Sequence, residues 1–524
     1  MSKSASVSVI VRSRNEVEHL GAVLRAVRAQ RWSGSVEIVC VDNQSVDGSR
    51  ETAAALADRC LDITEYRPGI ALNSAVEASR GELLVVLSGH ALPCDETWLA
   101  RLLHQHGEDN LAGVYGSQRY CDHARFLDKK DLDLFRYGPP RLERTDSDFW
   151  SANSSFTRTA WSQEPFNTQV FELEDHYWTK VLLPHGFHVR YEPDAAVYHY
   201  GHYERNDRTL PDCPDDDATL AAAVAVLSQS EPSWPERMDA VLRIKTLAHR
   251  VSDVAVVDRL RALLREDDDF DVRWRIADAL SRFASSEVAT ALADALDDRS
   301  YYVRDEAAWS LARLGPLGVE AALRRLATLP SELRHLVALA LSASGTAGGT
   351  ERAAALLVED LREGAEPLNA LYVVGELTPC EATTSLIGAV ARHLAADEPA
   401  VVRTTCWALG RLGVDDGAGH LTLIGDLAVG HPHADVRGEA TTTVTHHLSG
   451  SQASWAEHIV RQATTDPVGS VRFCAVHGTR RCAEQGADVA LRGDPDDDDF
   501  GVRFESNMLI ALRTPSLVTR PAGL

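Results

Sequence analysis

The feature that most constrains the fold is a dipeptide that keeps returning. Val272-Arg273, Val303-Arg304, Val402-Arg403, Val436-Arg437, Val471-Arg472 and Val502-Arg503 are separated by steps of 31, 99, 34, 35 and 31 residues. The long step is about three periods, and Leu333-Arg334 and the degenerate Leu368-Asn369 fill it in register. Such a period belongs to a solenoid, in which each repeat touches chiefly its neighbours. Each signal starts a helix: Val272, Ile276, Ala279 and Phe283 share one face, as do Val303, Ala307, Leu311 and Leu314. Apolar second helices such as Val288–Leu296 follow. No single helix pair buries its apolar face alone, so the helices must stack.

The beginning of the chain has a different rhythm. Val7–Val11 is a β-rich run, Leu20–Ala29 has helical spacing and Val36–Val41 is a second buried strand, which implies a parallel α/β sheet. Ligands of such sheets sit beyond the carboxyl ends of the strands. The residues there are Arg12, Arg14, Asn15 and Glu16, then Asp42 and Asn43, then Ser88, Gly89 and His90. Between the two regimes, Asp207–Asp217 carries two prolines and an acidic run, the mark of a linker. The expected division is an α/β domain over 1–210, a linker with its first helix over 211–235, and an all-α solenoid over 236–524.

A chain of 524 residues with 44% hydrophobic content can bury at least two cores. Its charge of −24 is uneven, with 23 basic against 30 acidic residues up to residue 210 and 30 against 47 beyond it. No basic footprint for a phosphate backbone exists, which argues against nucleic acid as a partner. No stretch approaches the ~20 apolar residues of a membrane span, and the N-terminus lacks the apolar run of a signal peptide. Nine scattered cysteines without a CxxC pair fit reduced thiols, so a soluble cytoplasmic protein is expected.

Four blocks then occur in order: VSVIVRSRNE, VDNQSVDGSRE, RPGIALNSAVEASRGELLVVLSGHALP and FELEDHYWTKVLLPHGFHVRYEPDAAVYH. Together they resemble the motifs of family 2 glycosyltransferases of the GT-A fold, across about the first two hundred residues. The resemblance implies a nucleotide-sugar donor, with Asp42 holding the nucleotide. It also implies that Arg67, Gly69, Asn73 and Gly81 stand in the next donor block, and that the acidic pair Glu174-Asp175 precedes a helix. Sugar transfer needs a base to take the acceptor's proton, and a carboxylate within hydrogen-bond reach does this. Asp175 is expected in that role, in an inverting reaction. The plainer reading is that both acids oppose a helix dipole.

The leaving diphosphate must be neutralised, and the family places an Asp-x-Asp element there to hold a divalent ion. This chain has Ser88-Gly89-His90 instead. Imidazole suits manganese or another transition ion better than magnesium, and His199 or His202 is expected to complete the site. The alternative is a His90 that only hydrogen-bonds phosphate. The segments around DFWSANSSFTRTAW resemble the acceptor side of bacterial transferases that elongate surface sugars, including rhamnosyltransferases. Trp150, Asn153 and Ser154 are the resulting acceptor-site candidates, against the alternative that aromatics at this spacing are core.

From about Met238 to Leu512 the chain resembles HEAT-like repeats of the short bacterial type. Its acidic runs, among them Asp267–Asp269, Asp297-Asp298 and Asp496–Asp499, precede the repeat valines, where carboxylates cap helices. The repeated arginines are expected to form a structural ladder. Solenoids suit polypeptides, so a peptide or protein acceptor is expected. A transferase for surface polysaccharide or a small metabolite, with repeats for assembly, is the alternative. A scaffold with a degenerate transferase domain is another, motivated by Ser88.

Overall fold

The structure, a computed structural model, describes residues 5–120, 130, 133, 138–145, 147–200, 216–229, 231–251, 253–363, 367–415, 417 and 419–513. It divides into two compact units: Met1–Tyr203 together with Thr445–Leu524, and Glu204–Val444.

The first unit is built on one nine-stranded sheet: β1 (Val7–Ser13), β2 (Val36–Asp42), β3 (Arg59–Asp62), β4 (Leu83–Ser88), β5 (Ala91–Pro93), β6 (Leu111–Tyr120), β7 (Arg141–Glu143), β8 (Asn153–Thr157) and β9 (His188–His199). The order is β3-β2-β1-β4-β8-β6-β9-β5, with β7 beside β9. The strands β1 to β4 are mutually parallel, and β8 turns the sheet antiparallel against both β4 and β6. Helices α1 (Val17–Arg28), α2 (Ser49–Leu56), α3 (Pro68–Ala78), α4 (Trp98–Leu103), α5 (Arg158–Gln163) and α6 (Glu174–Leu182) accompany it.

The near-continuous apolar runs of β1 and β4 follow from burial on both faces. Val9 and Val11 point into a core with Leu20, Val23, Leu24 and Val27 of α1, while Ile10 points into another with Leu72, Val76 and Trp178. Each such side chain contributes about 1.5–3 kcal/mol on burial. Parallel register sets Ser13 beside Asp42 and Arg12 beside Ser88, so the residues that follow β1, β2 and β4 share one edge.

The core that contains Val9 and Val11 also contains Phe473, Val476, Phe500 and Val502. Helices Gly469–Glu484 and Phe500–Arg513 are therefore part of the first unit. The expected solenoid over 236–524 thus runs on into a stretch, from Thr445, that groups with the sheet unit, and its last two helices pack on the sheet core. The physical reason is that the apolar stripes of these helices bury against β9 and α1 residues. The repeat signal runs unchanged through Val471 and Val502 and carries no mark of this.

The second unit consists of paired helices. Phe270–Leu280, Tyr301–Arg313, Arg334–Ala343, Leu368–Glu376 and Pro399–Leu412 each begin at a repeat signal. Phe283 lies past the end of its helix, although Val272, Ile276 and Ala279 are fully buried as expected. The recurrent arginine has a geometric reason. Arg273 and Arg304 each donate from Nη1 to the carbonyl oxygen six residues earlier, on Asp267 and Asp298, at 2.8 and 2.7 Å. Arg437 does the same to His431 at 2.8 Å. Each thus ties the turn between helices to the first turn of the next. Arg273 also grips Asp298 with two hydrogen bonds of 2.8 and 2.9 Å. Of the acidic runs, Asp269 caps its helix through the N–H groups of Asp271 and Val272. No helix among the described residues is long and apolar enough to cross a membrane.

Candidate active site

Two loops at the carboxyl edge of the sheet interlock. The Asn15 N–H donates to Ser45 Oγ and the Val46 N–H returns to Asn15 Oδ1, both at 2.9 Å. The Val17 and Glu16 N–H groups bind Asp47 Oδ2 and Ser49 Oγ at 3.0 and 2.6 Å. Asn15 and Gln44 sit at φ 55°, in the left-handed region that non-glycine residues seldom adopt. Leu173, directly before the acidic pair, is left-handed as well at φ 57°. Such conformations are held by their surroundings and gather at working sites.

Within this frame Asp42 is buried. Its Oδ2 accepts from the Ser45 N–H at 3.0 Å, while its Oδ1 and the neighbouring Ser13 Oγ are buried without a hydrogen-bond partner among the described residues. Orphaned buried polar atoms at adjacent register positions suit the donor and acceptor groups of a nucleoside. Asn43 is buried beside them, its N–H on the Ser13 carbonyl, and Arg14 is exposed.

The acidic pair opens α6. Glu174 takes the Arg12 guanidinium at 2.8 Å, and Ser151 joins the group: its hydroxyl accepts from Arg12 at 2.8 Å and donates to Glu174 at 3.1 Å. The Ser151 N–H reaches Asp175 Oδ2 at 2.7 Å, and Asp175 Oδ1 accepts from the His176 N–H at 3.0 Å. Burial and the adjacent Asp175 raise the Glu174 pKa against the pull of Arg12. For Arg12, burial works against the charge, but Tyr66 and Glu174 outweigh it and raise its pKa. Arg12, expected among the donor-binding residues, is thus a strut between β1 and α6. Ser151, which ties the whole group together, is missed by sequence reasoning. It stands in DFWSANSS between Trp150 and Asn153, and nothing in its type distinguishes it.

His90 follows β4 through Gly89, whose N–H donates to the Arg12 carbonyl at 2.8 Å, while the Ser88 N–H donates to Ala152. Its Nδ1 meets Glu16 Oε1 at 2.6 Å and its Nε2 meets His199 Nε2 at 3.2 Å. An ionised carboxylate only accepts, so Glu16 holds the proton on Nδ1 and leaves Nε2 as the acceptor that faces His199. Burial, and then His90, push His199 well below the usual imidazole pKa, which favours its neutral form. Two nitrogens bound about 2.1 Å from one ion lie about 3 Å apart at adjacent positions, so the pair fits a shared divalent ion. Among the described residues no group of three or more His, Cys, Asp or Glu gathers as a metal site. His202 lies outside the described residues.

Other expected contacts are not brought to the site. Asn73 donates to the Phe166 carbonyl at 2.8 Å and accepts from Trp161 Nε1 and the Phe166 N–H at 2.9 and 3.1 Å, so its amide is spent on the fold. Asn153 is completely buried, accepting from Trp98 Nε1 at 3.0 Å and donating to Ser117 and Ala195 carbonyls at 3.0 and 2.8 Å. Ser154 is equally buried on β8. Neither reaches an acceptor without the sheet opening. Trp150 is half-buried against His176, with ring centroids 5.1 Å apart. Arg67 donates to the Gln169 carbonyl at 2.7 Å and covers the Phe171 ring. Gly69 packs so closely that a Cβ would stand 2.0 Å from the Asn167 carbonyl, which explains glycine there without a ligand.

The family model described as Glycosyl transferase family 2 matches residues 8–166, the stretch that carries β1 to β8. The first unit contains a family 2 glycosyl transferase domain. A second model, HEAT repeats, matches residues 220–312. The fold is accordingly a GT-A α/β glycosyltransferase domain followed by helical HEAT repeats, and the family supports nucleotide-sugar transfer. No curated protein matches the chain. Among solved structures, a mannosyltransferase from Pyrobaculum calidifontis in complex with GDP-Man and Mn2+ is 17% identical, at a TM-score of 0.35, over 66% of this chain and 87% of its own. Glucosyl-3-phosphoglycerate synthase from Mycobacterium tuberculosis is 16% identical, at 0.29, over 47% and 78%. Mannosyl-3-phosphoglycerate synthase from Rubrobacter xylanophilus is 16% identical, at 0.29, over 48% and 77%.

Proposed function

We propose that the glycosyltransferase domain moves a sugar from a nucleoside-diphosphate donor to an acceptor with inversion, and that Asp175 is its base. The observation that carries this reading is the Arg12–Ser151–Glu174–Asp175 cluster, which fixes two buried carboxylates at the start of α6. The acceptor's nucleophilic atom attacks the anomeric carbon as the bond to the diphosphate breaks. Its proton passes to Asp175, and the electron pair leaves with the diphosphate. The Ser151 and His176 N–H groups orient Asp175, while Arg12 holds Glu174 beside it. Asp42 and Ser13 take the nucleoside, with Asn43 behind them. His90 and His199 hold a divalent ion, Mn2+ before Mg2+, and when bound it supplies positive charge for the departing diphosphate.

The acceptor proposed is a peptide or protein presented by the repeats, on the ground that a solenoid of this length exceeds what a simple sugar acceptor requires. Asp175→Asn tests the base. Binding of nucleoside diphosphate should persist by calorimetry while turnover falls by at least about a hundredfold. Turnover near that of the parent chain removes Asp175 from the mechanism.

A further inference from the structure

β9 ends in a run whose side chains alternate between two tasks, as strand geometry requires. His199 faces His90, with ring centroids 4.6 Å apart. Tyr198 and Tyr200 on either side turn to the C-terminal helices. The Tyr198 ring stacks on Phe473 at 3.9 Å, and its hydroxyl donates to Asp499 Oδ2 at 2.9 Å. Tyr200 lies edge-on to Phe504 at 5.3 Å and stacks on His19 of α1 at 4.7 Å.

The same short turn holds the other histidine. The Phe500 N–H donates to the Cys94 carbonyl at 2.8 Å, which anchors the segment that leaves His90 through β5. Asp499 meanwhile caps the last helix through the Gly501 and Val502 N–H groups at 2.9 and 3.1 Å. Gly501 leaves no slack: a Cβ there would stand 2.4 Å from the Tyr198 ring. His19 also meets Phe504 at 5.6 Å, and His19 lies three residues beyond Glu16, the partner of His90. Residues 499–504 therefore touch each of the three segments that deliver His90, His199 and Glu16.

We infer that the C-terminal helices Gly469–Glu484 and Phe500–Arg513 position the His90–His199 pair, with Tyr198, Asp499 and Phe473 as positioning residues. The inference rests on the reading of that pair as the ion-holding part of the site. Tyr198, Phe473 and Asp499 act through the backbone that carries the histidines. They fix the backbone of β9 and β5, and with it the nitrogen-to-nitrogen spacing. Groups that orient metal ligands typically carry about 10–100-fold in affinity.

The test uses the full chain with Tyr198→Phe, Asp499→Asn, His90→Ala and His199→Ala. Mn2+ affinity is read by electron paramagnetic resonance, and the metal-free histidine signals by NMR of histidine-labelled protein. Tyr198→Phe keeps the stacked ring and loses only the hydroxyl, so it remains informative where Asp499→Asn does not fold. The expected result is that Tyr198→Phe binds Mn2+ at least about tenfold more weakly, with the His90 and His199 signals displaced in the absence of metal and nucleoside-diphosphate binding in chelator unchanged. A folded Tyr198→Phe chain with unmoved histidine signals and parental Mn2+ affinity overturns the positioning role. Mn2+ binding that survives both histidine substitutions instead overturns the ion-holding reading. Displaced histidine signals in Tyr198→Phe then still support the brace.

Discussion

Asn153 shows how a residue chosen for its place beside an acceptor becomes a part of the core. Its amide satisfies three buried groups at once, the Trp98 indole and the carbonyls of Ser117 and Ala195. Stranding a buried polar group costs about 1–3 kcal/mol, so Asn153→Ala should lower stability by at least about 3 kcal/mol in urea unfolding while leaving the acceptor KM of the folded fraction unchanged. A rise in acceptor KM at parental stability would return Asn153 to the acceptor site. The sequence distinguishes such cases poorly, because an amide that binds a ligand and one that binds three backbone or indole groups are the same letter. Asp42, His90 and the acidic pair were legible for the opposite reason. Each follows an apolar run, or precedes a helix, at a point the α/β element order marks out. What pairing they make, Glu16 with His90 and Arg12 with Glu174, depends on contacts 74 and 162 residues apart that no local pattern encodes.

At the level of elements, the repeat dipeptide is a joint. Valine fills the stacked core, and arginine reaches back to the turn that precedes its own helix. The first half of that statement is readable from helical spacing and the period also points to a structural ladder of arginines, but not to the carbonyl each one reaches. Arg273 carries the fullest version, nearly inaccessible to solvent and bidentate to Asp298. Removing one partner of a buried ion pair leaves the other charge uncompensated, at about 3–5 kcal/mol. Arg273→Ala should destabilise the Glu204–Val444 unit by about that much in thermal or urea unfolding. A loss below about 1 kcal/mol would mean that the carbonyl and carboxylate contacts are relieved by solvent.

On the scale of the molecule, the first unit is held together by residues from both ends of the chain. Glu505 is fully buried within it, with His477 Nδ1 at 3.1 Å and Arg480 in direct contact. Burial opposes its charge, but His477 and Arg480 overcome this and lower its pKa to about 2 from the ordinary 4.5. A depressed carboxylate stabilises the fold above its unfolded pKa and loses that contribution as pH falls through the folded value. Glu505→Gln should therefore cost about 3 kcal/mol at neutral pH. The gap to the parent chain should close as pH falls from 4.5 towards about 2. A constant gap across that range would assign the loss to packing rather than to charge.

Because Thr445–Leu524 belongs with Met1–Tyr203, the Glu204–Val444 unit is an insertion within the other one. A ribosome delivers the sheet long before the helices that cover it. At about 5–20 residues per second, the β9 face waits roughly half a minute for Phe473 and Phe500 to emerge. Through that interval the face of Tyr198 that Phe473 later covers has only water, a chaperone or the wrong partner to meet. A nascent chain stalled just after the inserted unit should still be cut by protease within the sheet, and one that extends past residue 513 should resist. Birth order, rather than sequence order, then decides when this domain first becomes whole.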